Sequence, residues 1–210
     1  MQVRSWIVGN LMGWGLLACS SGWAIAQMPP AEPEPMIEPT PPSSVDEESP
    51  AAADDLQTYT LPRNFSLQIP EEWTAEGAET ERSAVITSYD PERLEVNAPQ
   101  PTDIRTEITF VEEHPDSFVD REIAAIVEQE YPVQRYLPVK INDRTGLRLW
   151  VADLPLDYTH QIITFVGYAS YGTAMIVTYY NGPADAAETD ALIETEALIE
   201  QVHNSFELLF

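Results

Sequence analysis

The sequence predicts an α+β fold: a three-layer α/β/α sandwich with a mainly antiparallel central sheet and a long C-terminal helix. Three observations carry that expectation. Residues 159–180 contain two β-rich runs joined by Ala169-Ser170-Tyr171-Gly172-Thr173, with a glycine where a tight turn needs one. Along the first run Ile162, Thr164 and Val166 alternate with Ile163, Phe165 and Gly167, and along the second Met175, Val177 and Tyr179 alternate with Ile176, Thr178 and Tyr180. Neither face is polar, so this hairpin belongs mid-sheet with a layer on each side. Two stretches of helical spacing, one after residue 114 and one over residues 184–205, come at separate points in the chain and supply one layer each. Hairpins dominate, and no long crossover of the parallel kind is visible.

Residues 1–26 read as an export signal. Arg4 is the short positive region, residues 6–18 form an apolar stretch broken by Asn10, and Ala24-Ile25-Ala26 is a small-x-small cleavage site before Gln27. The apolar core is too short to span a bilayer comfortably. Leu16-Leu17-Ala18-Cys19 also resembles a bacterial lipobox, in which Cys19 is acylated and becomes the mature N-terminus, so soluble export and lipid anchoring both stay open. Either route places the protein in a periplasm or a thylakoid lumen. Cys19 is the only cysteine, which excludes an intramolecular disulfide. Residues 27–57 form a linker: between residues 28 and 55 lie eight prolines, eight acidic residues and no basic one. So little apolar surface cannot offset the entropy of ordering, and the segment is expected to be a disordered spacer of about 3.1 Å per residue where it is polyproline-like.

The folded domain is expected over residues 58–210. Short strands are predicted at residues 59–61 and 65–69, where Phe65, Leu67 and Ile69 alternate with Ser66 and Gln68, and again at residues 84–88. Residues 89–103 form a proline-rich loop. Ile104, Thr106, Ile108 and Phe110 then share one face of a half-buried strand. The first helix opens at His114-Pro115-Asp116-Ser117, with Ser117 and Asp120 resembling a capping box and Val119, Ile123, Ile126 and Val127 forming the apolar stripe. It stops near Tyr131-Pro132. Residues 133–141 and 147–151 form a second hairpin about a five-residue link, with Arg148 and Trp150 opposite the face of Leu147, Leu149 and Val151. Residues 184–205 form the last helix, with Ala191, Thr195, Leu198, Val202 and Phe206 as its buried stripe and Leu192 and Ile199 beside it.

The chain carries 35 acidic and 10 basic residues, a net charge of -25, and nine of the basic residues are arginine. Such a chain is repelled by phosphate backbones and anionic headgroups, which argues against nucleic-acid binding. A cation or a basic protein is the partner that this charge would attract, although solubility alone explains it. No Gly-x-Ser-x-Gly elbow and no phosphate-cradling glycine loop occur in the sequence. His114, His160 and His203 are scattered, none with a His or Cys at ligand spacing, so no metal, cofactor or catalytic residue is assigned. His114 with Asp116 makes at most a weak divalent site. Carboxylates are too plentiful for any pair to single itself out. Trp150, Tyr168 and Tyr171 are the partner-contact candidates, provided they lie at a sheet edge or loop tip rather than in the core; Tyr171, in the turn, is the first choice.

The order of elements resembles the Mog/PsbP-like family. The residues that carry the resemblance are Phe65-x-Leu67-x-Ile69-Pro70-x-x-Trp73, a helix after a long strand, the hairpin with a glycine, two aromatic-rich strands, and a terminal helix ending His203-Asn204-Ser205-Phe206; it covers residues 58–210. The resemblance implies an α/β/α sandwich without a catalytic site that serves as an accessory or scaffold module. The family includes nuclear Ran-binding proteins, extrinsic photosystem II subunits of the thylakoid lumen and bacterial envelope lipoproteins. An export signal points away from the nuclear branch, and the acidity departs from what docking on an acidic lumenal surface requires. The expectation is a non-enzymatic, monomeric module whose partner is a membrane-associated protein complex such as photosystem II. The alternatives are an envelope lipoprotein with a stress or maintenance role and a small hydrolase using a cleft carboxylate.

Overall fold

The computed structural model describes residues 56–94, 98–155, 157–182 and 189–209. The export signal, Cys19, the linker up to residue 55 and residues 184–188 of the expected last helix lie outside the described residues. Strands β1 (Leu56–Leu61), β2 (Phe65–Pro70) and β10 (Glu207–Leu208) form a small antiparallel sheet in the order β1-β2-β10. The larger sheet comprises β3 (Thr74–Ala78), β4 (Ser83–Thr87), β5 (Arg105–Val111), β6 (Val133–Ile141), β7 (Arg144–Val151), β8 (His160–Gly167) and β9 (Thr173–Tyr180). Its order is β3-β4-β5-β9-β8-β7-β6, and every neighbouring pair is antiparallel. The helices are α1 (Pro91–Leu94), α2 (Pro115–Glu128) and α3 (Thr189–Asn204). The fold is therefore mixed α+β with antiparallel sheets and a helix near the C-terminus.

The β8–β9 hairpin lies mid-sheet, as its two apolar faces require. Because successive side chains on a strand point to opposite faces, β8 divides itself between two cores. Ile162 and Val166 enter one with Trp150, Ile176, Tyr180, Ile199, Val202 and Phe206. Ile163 and Phe165 enter the other with Leu149, Val151, Val177, Phe118 and Ile126. Thus α3 belongs to the first core and α2 to the second. The first core also takes Leu61, Phe65, Leu67 and Ile69 from the small sheet, an addition the sequence did not signal. The geometry explains it: seven strands about 4.8 Å apart are too broad for one helix roughly 10 Å across to cover.

Several sequence expectations are corrected locally. The N-cap of α2 is His114, whose ring accepts from the Asp116 backbone N–H at 3.4 Å with Pro115 in the first turn, so Ser117 does not cap it. Val127 is exposed and Phe118 is buried instead, because the buried face is centred on Phe118 and Ile126 and Val127 lies a further 100° round the helix. On the α3 stripe, Val202 and Phe206 are buried as expected and Ile199 beside them, whereas Ala191 is exposed, Thr195 and Leu198 are only partly covered, and His203 is buried in addition. The link between β6 and β7 is shorter than five residues. Asn142 and Asp143 alone turn the chain, both at positive φ (44° and 62°), and Arg144, Thr145 and Gly146 continue as strand. Strands β3 and β10 had no alternation long enough to read; β3 exists through its pairing with β4, and β10 through its pairing with β2.

Candidate functional site

Of the three aromatic candidates, the structure buries two. Trp150 is 4% exposed and Tyr168 5%, whereas Tyr171 is 65% exposed. Trp150 fails as a surface contact because β7 is an inner strand and its α3-side face is covered: the Arg135 guanidinium lies 3.8 Å from its ring centroid. Its indole N–H is buried without an acceptor among the described residues. Tyr168 sits at the base of the β8–β9 turn rather than its tip, with its ring edge-on to Phe110 at 6.1 Å and the Arg144 guanidinium 5.6 Å from its centroid. Burial pushes its phenol up to about 12. Tyr171 occupies the turn itself, which is closed by the Tyr171 N–H on the Tyr168 carbonyl at 3.0 Å.

The exposed apolar ledge lies elsewhere, on β6. This strand is nine residues long and ends the large sheet, and residues 133–138 are all exposed. Tyr136 is 68% exposed, Leu137 48% and Val133 38%. Sequence reasoning missed Tyr136 because it treats β6 as any other β-rich run, although Pro138 inside it, with Lys140 close by, is the local mark of an edge strand.

The ledge is held from beneath. The Arg135 guanidinium, besides stacking on Trp150, donates to Glu196 at 3.1 Å and Glu200 at 3.4 Å, tying β6 to α3. Glu196 also accepts from the Tyr180 hydroxyl at 2.9 Å, and Glu200 lies 3.3 Å from the guanidinium of Arg148. Arg148 is 1% exposed and continues the network inward: its Nε–H donates to Thr164 at 2.9 Å and a terminal N–H donates to Asn204 at 2.7 Å. Burial lowers its affinity for its proton, and Glu200 opposes that. His203, fully buried, bridges Thr164 through Nδ1 and Thr178 through Nε2, each at 2.8 Å, and Thr178 reaches Thr106 at 2.7 Å. An Nε2-protonated imidazole lets each donor along this chain be used once. Burial, with Arg148 adding repulsion, holds His203 well below the usual imidazole range, so it is neutral.

A groove of about 670 Å³ runs beside this network, lined by Pro99, Pro101, Ile104, Tyr180 and Leu192 among others. A neighbouring one of about 340 Å³ touches Trp150, His160 and Glu196. His160 is half-buried, with its ring 5.4 Å from that of Tyr180 and its Nδ1 2.9 Å from the Thr159 hydroxyl. Desolvation lowers its proton affinity. Its ring also fills the space where a side chain on Gly182 would stand. His114 and Asp116 lie 3.8 Å apart as part of the helix cap, and among the described residues no three His, Cys, Asp or Glu side chains are grouped to hold a metal. The three histidines thus stand in three settings: a helix cap, a packed ring and a buried bridge.

No family model matches the chain, and no curated protein matches it. Among solved structures, it is similar to the solution structure of cyanobacterial PsbP (CyanoP) from Synechocystis sp. PCC 6803, at 10% identity and a TM-score of 0.44, over 79% of this chain and 99% of that chain. It is also similar to PA94 of Pseudomonas aeruginosa, a protein of unknown function, at 14% identity and a TM-score of 0.36, over 69% of this chain and 94% of that chain. Likenesses of this degree carry no argument about function, which rests on the residues themselves.

Proposed function

We propose that this chain is an exported, non-enzymatic accessory module of the PsbP-like kind, built as a three-layer α/β/α sandwich, that docks on a membrane-associated protein complex. Photosystem II is the first complex to test. Support for the layering is the division of the core into one cluster carrying α2 and one carrying α3. The observation that carries the docking reading is the solvent-facing β6, which presents Tyr136 and Leu137 on a strand paired with β7, past a register shift between Val133 and Arg135, rather than on a loop. Exposed apolar groups gathered on one ordered element mark a contact surface, and a ledge anchored by Arg135 is already in its binding shape. A second reading, an envelope lipoprotein with a maintenance role, draws on Leu16-Leu17-Ala18-Cys19 and shares the docking head but not the photosynthetic partner.

Co-purification of the tagged full-length chain from detergent-solubilised membranes at low ionic strength tests the proposal. A stoichiometric partner is expected. Recovery of no partner overturns the module reading, and the mass of the mature chain separates acylation at Cys19 from cleavage before Gln27.

A further inference from the structure

We infer that the β6 edge receives an acidic, extended segment of a partner protein, which adds to the large sheet as a further antiparallel or parallel strand. This inference rests on the reading of the chain as a protein-binding module and says what that module binds. Strand β6 ends the sheet order, so the backbone on its outer side has no strand partner among the described residues. Such an edge is a template for another chain. Its side chains add apolar contact on both faces. By register Tyr136 shares the face of Leu149 and Leu137 shares the face of Arg148.

Charge decides what kind of segment fits. The chain is net -25, yet residues 133–148 contain four of its ten basic residues, Arg135, Lys140, Arg144 and Arg148, against the single acid Asp143. Arg135 and Arg148 are committed to Glu196 and Glu200. Lys140 and Arg144 are exposed and enter no ion pair among the described residues, whereas Arg82, Arg105 and Arg121 all do. Arg63, in the turn between β1 and β2, is also exposed without an ion pair among the described residues but is single there, whereas the hairpin carries two such cations, so an acidic strand meets attraction at the hairpin. A second copy of this chain suits the edge poorly, since it sets a whole domain of net charge -25 against another, whereas a short segment brings only a few carboxylates to the hairpin. Pro138 and Lys140 are residues that keep sheet edges from pairing indiscriminately, and they leave the edge open to a partner that answers the lysine with a carboxylate.

An NMR titration of backbone amides in the full chain tests this, using a peptide of about ten residues that alternates glutamate with valine, and the same peptide with lysine for glutamate. The expected result is shifts concentrated in residues 133–141, with the glutamate peptide binding about tenfold tighter than the lysine peptide at low salt. The double substitution Lys140→Glu with Arg144→Glu should invert that preference, while Val85→Thr on β4, towards the opposite edge, should leave it unchanged. Absence of binding, equal affinity for both peptides, shifts centred elsewhere, or β6 shifts that grow with protein concentration alone would each overturn the inference. In the membrane co-purification, a partner retained equally by the double variant sinks the edge inference and leaves the module reading standing. Recovery of nothing by the unsubstituted chain sinks both.

Discussion

At the heart of the first core, His203 spans Thr164 and Thr178 with no exposure to solvent, and with the Arg148–Asn204 and Tyr180–Glu196 hydrogen bonds it ties α3 to the sheet. Full burial disfavours the charged imidazole, and Arg148 nearby makes a second positive charge still less favourable, so the ring stays neutral. Because its folded-state proton affinity lies below the ordinary value of about 6.5, the unfolded chain binds more protons as pH falls. The stability it contributes is complete above about pH 6.5 and is lost as pH drops below that, by up to about 1.4 kcal/mol per pH unit until the folded imidazole itself titrates. Urea unfolding at pH 7.5 and pH 5 should therefore show a fall in stability for the unsubstituted chain. His203→Gln, which keeps a donor and an acceptor without the titration, should be less stable at pH 7.5 by about 1–3 kcal/mol and much flatter with pH, retaining only the share of half-buried His160, which acts in the same direction. An unchanged pH slope in the variant would show that the sensitivity arises elsewhere.

Among the elements, the β6–β7 hairpin carries the ledge, and its turn is the part with an identifiable local strain. Asn142 and Asp143 both occupy the left-handed region. Asn142 is suited to it and also donates from its side chain to the Phe206 carbonyl at 2.8 Å, which ties the turn to the end of α3. Asp143 tolerates the conformation but gains less from it, and glycine is the residue this turn type prefers at that position. Asp143→Gly is expected to raise stability by about 0.5 kcal/mol, or roughly 1–2 °C in Tm, despite the extra freedom of the unfolded chain. Scanning calorimetry decides it. Gly172, with φ 143°, marks another demanding turn: a Cβ there would stand 2.2 Å from the Val111 carbonyl oxygen, so the β8–β9 connection requires the glycine that the sequence placed in it.

Over the whole molecule, a charge of -25 repels itself, and screening relieves that repulsion. Raising salt from about 10 mM to about 150 mM should raise Tm by a few degrees, read by thermal melting; a flat or falling response would mean that pairs such as Arg135 with Glu196 and Glu200 outweigh the net repulsion. Much of the architecture was legible beforehand. The sequence by itself determined the central hairpin, since Ile162 to Val166 are apolar at both odd and even positions and only a strand covered on both faces tolerates that. It also determined the acidity, the half-buried β5 and the end of α2 near Tyr131-Pro132. Strand order, and with it exposure, was decided by the tertiary structure. Trp150 and Tyr136 both stand on β-rich runs, yet one is buried under Arg135 and the other faces water, because β7 has neighbours on both sides and β6 has one. What lies over a sheet residue comes from distant parts of the chain, here α3 for Trp150, so local alternation can name the face of a side chain but not whether that face is covered.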